Sequence, residues 1–197
     1  MRSLVFDTSS VISLTTNDLL WILNPMKQKF RGDFCIPSSV KTELVDKPLA
    51  TFRFKFEAIM INKIINDGFL DVHEPLNVDD LLVQVNSIYS IEGKPLHIVD
   101  KAEVEALALV LRLQADAYVV DERTMRMVIE DPINLRNILE GKIHRKVEIN
   151  KNLLNEFKEI SKGVKIIRST ELVTIAYEKG LLDSFISSTN KKELIEA

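Results

Sequence analysis

The stretch Ser3-Leu4-Val5-Phe6-Asp7-Thr8-Ser9-Ser10 decides how this chain is read. Three apolar residues run without alternation into an aspartate, and small hydroxyl residues follow. An uninterrupted short apolar run suits a strand buried on both faces, as in a parallel sheet covered by helices. Asp7 then stands at the carboxyl end of that strand, where open α/β sheets place their ligands. An aspartate before Thr-Ser-Ser is also a common helix cap, and at this point both readings stand.

A second unit of the same kind lies further on. Asp100-Lys101-Ala102-Glu103 has the form of a capping box, and the helix through Glu105 to Leu111 is apolar nearly all round. A helix of that pattern is buried, which predicts partial burial for the glutamates of its first turn. Tyr118-Val119-Val120 is another uninterrupted strand, ending in Asp121-Glu122, with a helix from Arg123 onward.

Between and around these units the periodicity predicts alternating elements. A short helix runs from Val11 to Leu14, and Asn17 caps an apolar helix, Leu19 to Leu23, that Pro25 ends or kinks. Phe34-Cys35-Ile36 is a strand stopped by Pro37, and the helix from Ser38 or Ser39 carries Glu43. Residues 51 to 65 form a helix with two apolar stripes, Phe52/Phe56/Ile59 and Phe54/Ala58/Ile61/Ile65. Phe69 to Val72 is a strand, and a helix capped by Asn77 continues through Tyr89 to Gly93. Residues 131–162 read as a helical insertion, followed by the strand Val164 to Ile167. A helix capped by Ser169 or Thr170 ends at Gly180, and a C-terminal helical tail contains Leu194-Ile195. The alternation predicts one domain over residues 1–197, a three-layer α/β/α sandwich with a mainly parallel central sheet.

Composition sets bounds on function. The chain has 197 residues, enough for one well-buried α/β domain. Its formal net charge of −3 argues against a broadly basic nucleic-acid surface, but not against a nuclease whose metal ions supply positive charge. Cys35 is the single cysteine, which excludes an intramolecular disulfide, and His73, His97 and His144 lack the spacing of a zinc site. No apolar run approaches the 18 or so residues of a membrane span, and the N-terminus does not resemble a signal peptide. A cytoplasmic location is expected.

The acids carry the chemistry. Asp7 and Asp121-Glu122 each follow a buried strand, and Glu103 and Glu105 open a buried helix. If the two strands are sheet neighbours, these groups converge. Two carboxylates about 4 Å apart repel by roughly 4 kcal/mol at an effective dielectric near 20. Protons or cations must neutralise such a cluster, and Mg²⁺ or Mn²⁺ suit its hard oxygen ligands. Glycine is scarce and never closely spaced, so no phosphate loop or dinucleotide fingerprint competes.

Leu4-Val5-Phe6-Asp7-Thr8-Ser9, Ile36-Pro37-Ser38-Ser39-Val40-Lys41-Thr42-Glu43-Leu44, Ala102-Glu103-Val104-Glu105-Ala106-Leu107-Ala108-Leu109 and Val119-Val120-Asp121-Glu122 together resemble PIN-domain proteins. Val164-Lys165-Ile166-Ile167 and Ala176-Tyr177-Glu178-Lys179-Gly180 resemble the closing strand and helix of one branch. The segment 131–162 has no counterpart in the resemblance. What the resemblance implies is a Mg²⁺- or Mn²⁺-dependent ribonuclease, of a toxin-like or RNA-processing branch, acting on phosphodiester bonds. It places the first acid on Asp7, the second on Glu43, and the third on Glu105, with Glu103 as the substitute. The fourth falls on Asp121 or Glu122, where Glu122 departs from the family's usual aspartate. Thr8 or Ser9 would support the first acid or a metal-bound water. RNA is the implied partner, with an antitoxin protein and a homodimer as further partners and no membrane. Backbone contacts to RNA fall to Arg123, Arg126 or the cluster Lys142, Arg145 and Lys146.

Two other readings compete. One is a catalytically weak or inactive module of the same fold that binds RNA or a partner protein, which the Glu122 departure and the acidic charge favour. The other is a phosphohydrolase with Asp7 as nucleophile, which calls for an aspartate two residues on, where Ser9 stands. Replacing Lys142, Arg145 and Lys146 together is expected to weaken RNA binding and flatten its log–log salt dependence by about 0.7 per lost contact. An unchanged slope would mark the cluster as a solvated surface.

Overall fold

The computed structural model describes residues 2–183. Strand β1 (Ser3–Phe6) leads through Asp7 into α1 (Thr8–Thr16), and a 3₁₀ turn at Leu20–Ile22 joins α2 (Leu23–Phe30). After β2 (Asp33–Pro37), α3 (Ser38–Lys41) passes through a π-helical turn, Thr42–Asp46, into α4 (Lys47–Leu49). Next come α5 (Lys55–Asn66), β3 (Asp71–His73), α6 (Asp79–Asn86), and the hairpin of β4 (Tyr89–Ile91) and β5 (Lys94–Pro95). Helix α7 (Lys101–Leu113), β6 (Ala117–Val119), α8 (Arg123–Glu130) and α9 (Pro132–Ile143) follow. The described part closes with β7 (Glu148–Ile149), α10 (Lys151–Ile160), β8 (Ile166–Ile167) and α11 (Ser169–Glu178).

The central sheet has the order β3-β2-β1-β6-β8, and every pairing in it is parallel. Successive side chains of its inner strands enter two different cores. Leu4 and Phe6, Phe34 and Ile36, and Ala117 and Val119 feed one, packed under α1, α2 and α11. Val5, Cys35 and Tyr118 feed the other, under α6, α7, α8 and α10. This division produces three layers, and it is why the strands show no polar–apolar alternation. No helix among the described residues is long and apolar enough to cross a membrane.

Several expectations are corrected. Asn17 ends α1 rather than opening the next helix, and Pro25 neither ends nor kinks a helix. Pro25 is the third residue of α2, in the first turn, where a backbone N–H has no intrahelical acceptor to lose. Pro37, not Ser39, precedes the first turn of α3. Helix α6 stops at Asn86, and Tyr89 belongs to a strand. Gly93 instead forms the two-residue hairpin turn with Glu92, both at positive φ as a type I′ turn requires. Residues 51–54 precede α5, and the stripe Phe52/Phe56/Ile59 faces solvent. Ser169 is the first residue of α11 and not its cap.

The segment 131–162 is helical but also supplies β7, which pairs with β4 in a small antiparallel sheet, β5-β4-β7. Leu135, Val147, Leu154 and Phe157 are buried in the second core, so the segment completes that core instead of lying over the domain as a lid. The C-terminal helical tail expected around Leu194-Ile195 lies outside the described residues.

Gly32, between α2 and β2, has no space for a side chain: a Cβ there would stand 2.5 Å from the Arg2 carbonyl and 2.7 Å from the Phe30 ring. Gly32→Ala is therefore expected to destabilise the protein by about 1–3 kcal/mol in urea denaturation. Gly141→Ala, in α9 with nothing within 4 Å, should stabilise it by roughly 0.5–1 kcal/mol. Equal midpoints for the two variants would contradict this account of the α2–β2 turn.

Candidate active site

Parallel pairing decides where the acids go. β1 and β6 are neighbours with Phe6 opposite Val119, and the Asp7 amide extends the ladder to the Val119 carbonyl at 3.1 Å. Asp7 and Asp121-Glu122 therefore leave the sheet at the same edge. β2 lies on the other side of β1 and runs into α3 and the π-helical turn that carries Glu43. Turns of this kind recur at functional sites. α7 packs against α3, β1 and β2, which brings its first turn over the strand ends.

Ser9 ties these pieces together. Its hydroxyl donates to the Asp7 carboxylate, 2.8 and 2.9 Å from the two oxygens, and accepts the Asp121 and Glu122 amides at 2.9 Å each. Thr8 donates to Glu43 Oε2 at 2.7 Å. Asp7 also accepts the Ser10 amide at 2.9 Å, so it caps α1 while lining the cleft.

The electrostatics place Glu103 within range of both Asp7 and Glu122. Burial pushes the Asp7 carboxyl up to about 6, against the hydrogen bonds from Ser10 and Ser9. Burial also raises Glu103 to about 7, opposed by its hydrogen bond from the Asp100 amide and reinforced by the charges of Glu122 and Asp7. The Tyr118 phenol, fully buried, is raised by its burial and by Asp7, Glu103 and Glu122. None of Asp7, Glu43, Glu103 or Glu122 forms an ion pair with a Lys, Arg or His among the described residues.

Glu105 stands elsewhere. It is buried and accepts the Leu76 amide at 2.9 Å, so the side chain that α7 turns toward Asp7 is Glu103, the substitute in the sequence reading. The Asp121-Glu122 pair also divides. Asp121 accepts both the Ser169 amide, at 2.7 Å, and the Ser169 hydroxyl, at 2.6 Å. Burial works against its charge, but hydrogen bonds from Ser13 and Ser169 and the nearby Arg126 hold its carboxyl below the ordinary value. Glu122 caps α8 through the Met125 amide and lies close enough to Glu103 to raise it.

Of the basic candidates, Arg126 is half-buried beside Asp121, with a buried Nε that has no hydrogen-bond partner. Arg123, Lys142 and Lys146 are exposed, and Arg145 pairs with Glu92 of the hairpin turn. Sequence reasoning missed Ser13, Tyr118 and Ser169. Ser169 had one signal, a hydroxyl residue opening the helix after a strand.

Half-buried and buried carboxylates without a countercharge are the donor set a hard divalent cation requires. Asp7, Glu103 and Glu122, with Glu43 beside Thr8, fit such an ion in chemistry. Among the described residues no three His, Cys, Asp or Glu side chains stand in a ready-made metal cage.

A family model described as a PIN domain matches residues 3–132, about two thirds of the chain. No curated protein and no solved structure matches the chain.

The raised carboxyls have a consequence for stability. A group whose pKa is higher in the folded protein favours folding at low pH and loses that contribution as pH rises through its folded value. Without metal, stability is expected to fall between about pH 4 and pH 7 on account of Asp7 and Glu103. Asp7→Asn retains a cap for α1 and removes one of the crowded charges. In EDTA at pH 8 it should stabilise the protein by roughly 1–3 kcal/mol, a gain that shrinks toward pH 4. Denaturation curves at the two pH values check this, and a variant less stable than the parent at pH 8 would contradict it.

Proposed function

The chain belongs to the PIN-domain family, a nuclease-type fold, and on that premise we propose that it is a metal-dependent endoribonuclease that hydrolyses RNA phosphodiester bonds. The observation that carries the reading is the meeting of Asp7, Glu103 and Glu122, three acids with no countercharge, at the carboxyl edge of a parallel sheet. Asp7, Glu103 and Glu122 would hold Mg²⁺ or Mn²⁺, with Glu43 reaching the ion directly or through water. When bound, such an ion lowers the pKa of a water and stabilises charge on phosphoryl oxygens.

The protein's own residues supply the rest. Ser9 fixes the Asp7 carboxylate, and Thr8 fixes Glu43, so both oxygens are aimed before substrate arrives. Glu103 stands in the first turn of α7 within range of Asp7 and Glu122, where it would share the ion with them. Asp121 acts as a brace: through Ser169 it clamps the end of β6 to the start of α11. Arg126 lies beside that brace with its Nε buried, and its charge supports the ionised Asp121.

A second reading, a catalytically inactive module that binds RNA or a protein, is favoured by one observation: both oxygens of Asp121 are already engaged by Ser169. Cleavage assays on single-stranded RNA with Mn²⁺ separate the two. Asp7→Asn and Glu103→Gln are expected to lower the rate at least 100-fold. Glu105→Gln, which can still accept the Leu76 amide, should stay within about threefold of the parent. Activity should rise from pH 5 to pH 8 as Asp7 and Glu103 ionise. Equal cleavage by parent and Asp7→Asn, or none by the parent, would defeat the nuclease reading.

A further inference from the structure

The run Phe52-Arg53-Phe54-Lys55-Phe56 alternates aromatic and basic side chains, and all three rings stand in solvent. Phe52 is 99% exposed, Phe54 64% and Phe56 69%. Together they present roughly 400 Å² of ring surface, a patch large enough to mark an interaction site. Phe54 has a left-handed backbone, φ +59°, an unusual conformation for a bulky residue and of the kind that gathers at binding sites. Arg53 and Lys55 form no ion pair among the described residues, and the Lys55 ammonium lies 5.7 Å from the centre of the Phe52 ring.

The patch is joined to the acids. A groove of about 140 Å³ runs between α1 and α5, with Phe54 at its wall and Ile12 and Glu43 among its other lining residues. Glu43 accepts the hydroxyl of Thr8, the residue that follows Asp7. A phosphodiester strand approaching those acids meets negative charge, so its grip must come from outside the cluster.

We propose that residues 52–56 form a stacking platform for single-stranded RNA, which leads the strand along this groove to Glu43. The platform rests on the ribonuclease reading. Rings stack on unpaired bases while Arg53 and Lys55 meet the phosphates between them. Phe54 at the amino end of α5 turns the run out of the helix, so rings and cations stand together on one exposed corner. Phe52, Phe56 and Ile59 also stand four and three residues apart, as anchors for a partner helix would, but the unpaired Arg53 and Lys55 beside the rings favour a polyanion. Duplex RNA hides its bases and offers the rings nothing to stack on.

The test uses fluorescence anisotropy in EDTA with a labelled single strand of about 12 nucleotides and with its duplex. Phe52→Ala/Phe56→Ala should weaken single-strand binding about tenfold or more, and Phe52→Trp/Phe56→Trp should restore it. Arg53→Gln/Lys55→Gln should lower the log–log salt slope by about 0.7 for each lost contact. Mn²⁺-dependent hydrolysis of bis(4-nitrophenyl) phosphate, too small to span platform and acids, should be the same in parent and variants. The platform is overturned if the parent binds no single strand, if the alanine pair binds as the parent does, or if duplex binds as tightly as single strand. An alanine pair that turns a dimer into a monomer in sedimentation, with RNA affinity unchanged, assigns the patch to a protein interface and also overturns it. Hydrolysis of the small diester alongside any of those results leaves the nuclease reading standing. Its absence, with RNA affinity lost in the alanine pair, removes the nuclease reading and keeps the platform.

Discussion

The hydroxyl of Ser9 is the constraint on which the sheet edge depends. It has one proton and two lone pairs, and all are used: the proton faces Asp7, and the lone pairs take the amides of Asp121 and Glu122. Asp7 is buried, and burial raises its pKa against the hydrogen bonds it receives from Ser10 and Ser9. The contact exists because β1 and β6 are neighbours in register, so the residues just past each strand meet across one ladder. Parallel pairing thus sets the strand ends side by side, and the hydroxyl ties them together.

The same carboxylates also hold the helices. Asp7 caps α1, Glu122 caps α8, Glu103 closes the capping box of α7, and Asp121 receives the first amide of α11. Each helix thereby turns its amino terminus, with its partial positive charge, toward the cluster. That arrangement relieves like-charge repulsion without placing a lysine or arginine among the acids. For Asp7, serving as a cap and lining the cleft are therefore compatible roles.

What the sequence made legible was the set of buried strands and the acids that follow them. The unbroken runs Leu4-Val5-Phe6 and Tyr118-Val119-Val120 point to a doubly covered parallel sheet, because nothing else buries both faces of a strand. The choice between Glu103 and Glu105 was not legible. Two residues apart on a helix is a turn of about 200°, and only the packing of α7 reveals which side faces Asp7. The Phe52/Phe56/Ile59 stripe misled for a related reason: periodicity finds a helix's apolar side but does not say whether anything covers it. β7, two residues long, carries no pattern at all and is recognisable only through its partner β4.

The family resemblance runs to residue 132, and Pro132 is a buried residue whose carbonyl accepts the Tyr89 hydroxyl at 2.9 Å. Beyond it come β7, the apolar residues of α10, β8 beside β6, and Ser169 on Asp121. The stretch that matches the family is thus shorter than the stretch that shares the sheet and the second core. A chain severed at that point would lose the brace on Asp121 along with Leu135, Val147, Leu154 and Phe157 of its second core. Inherited similarity and mechanical integrity end at different residues here, and a modular swap drawn at the boundary of the first would violate the second.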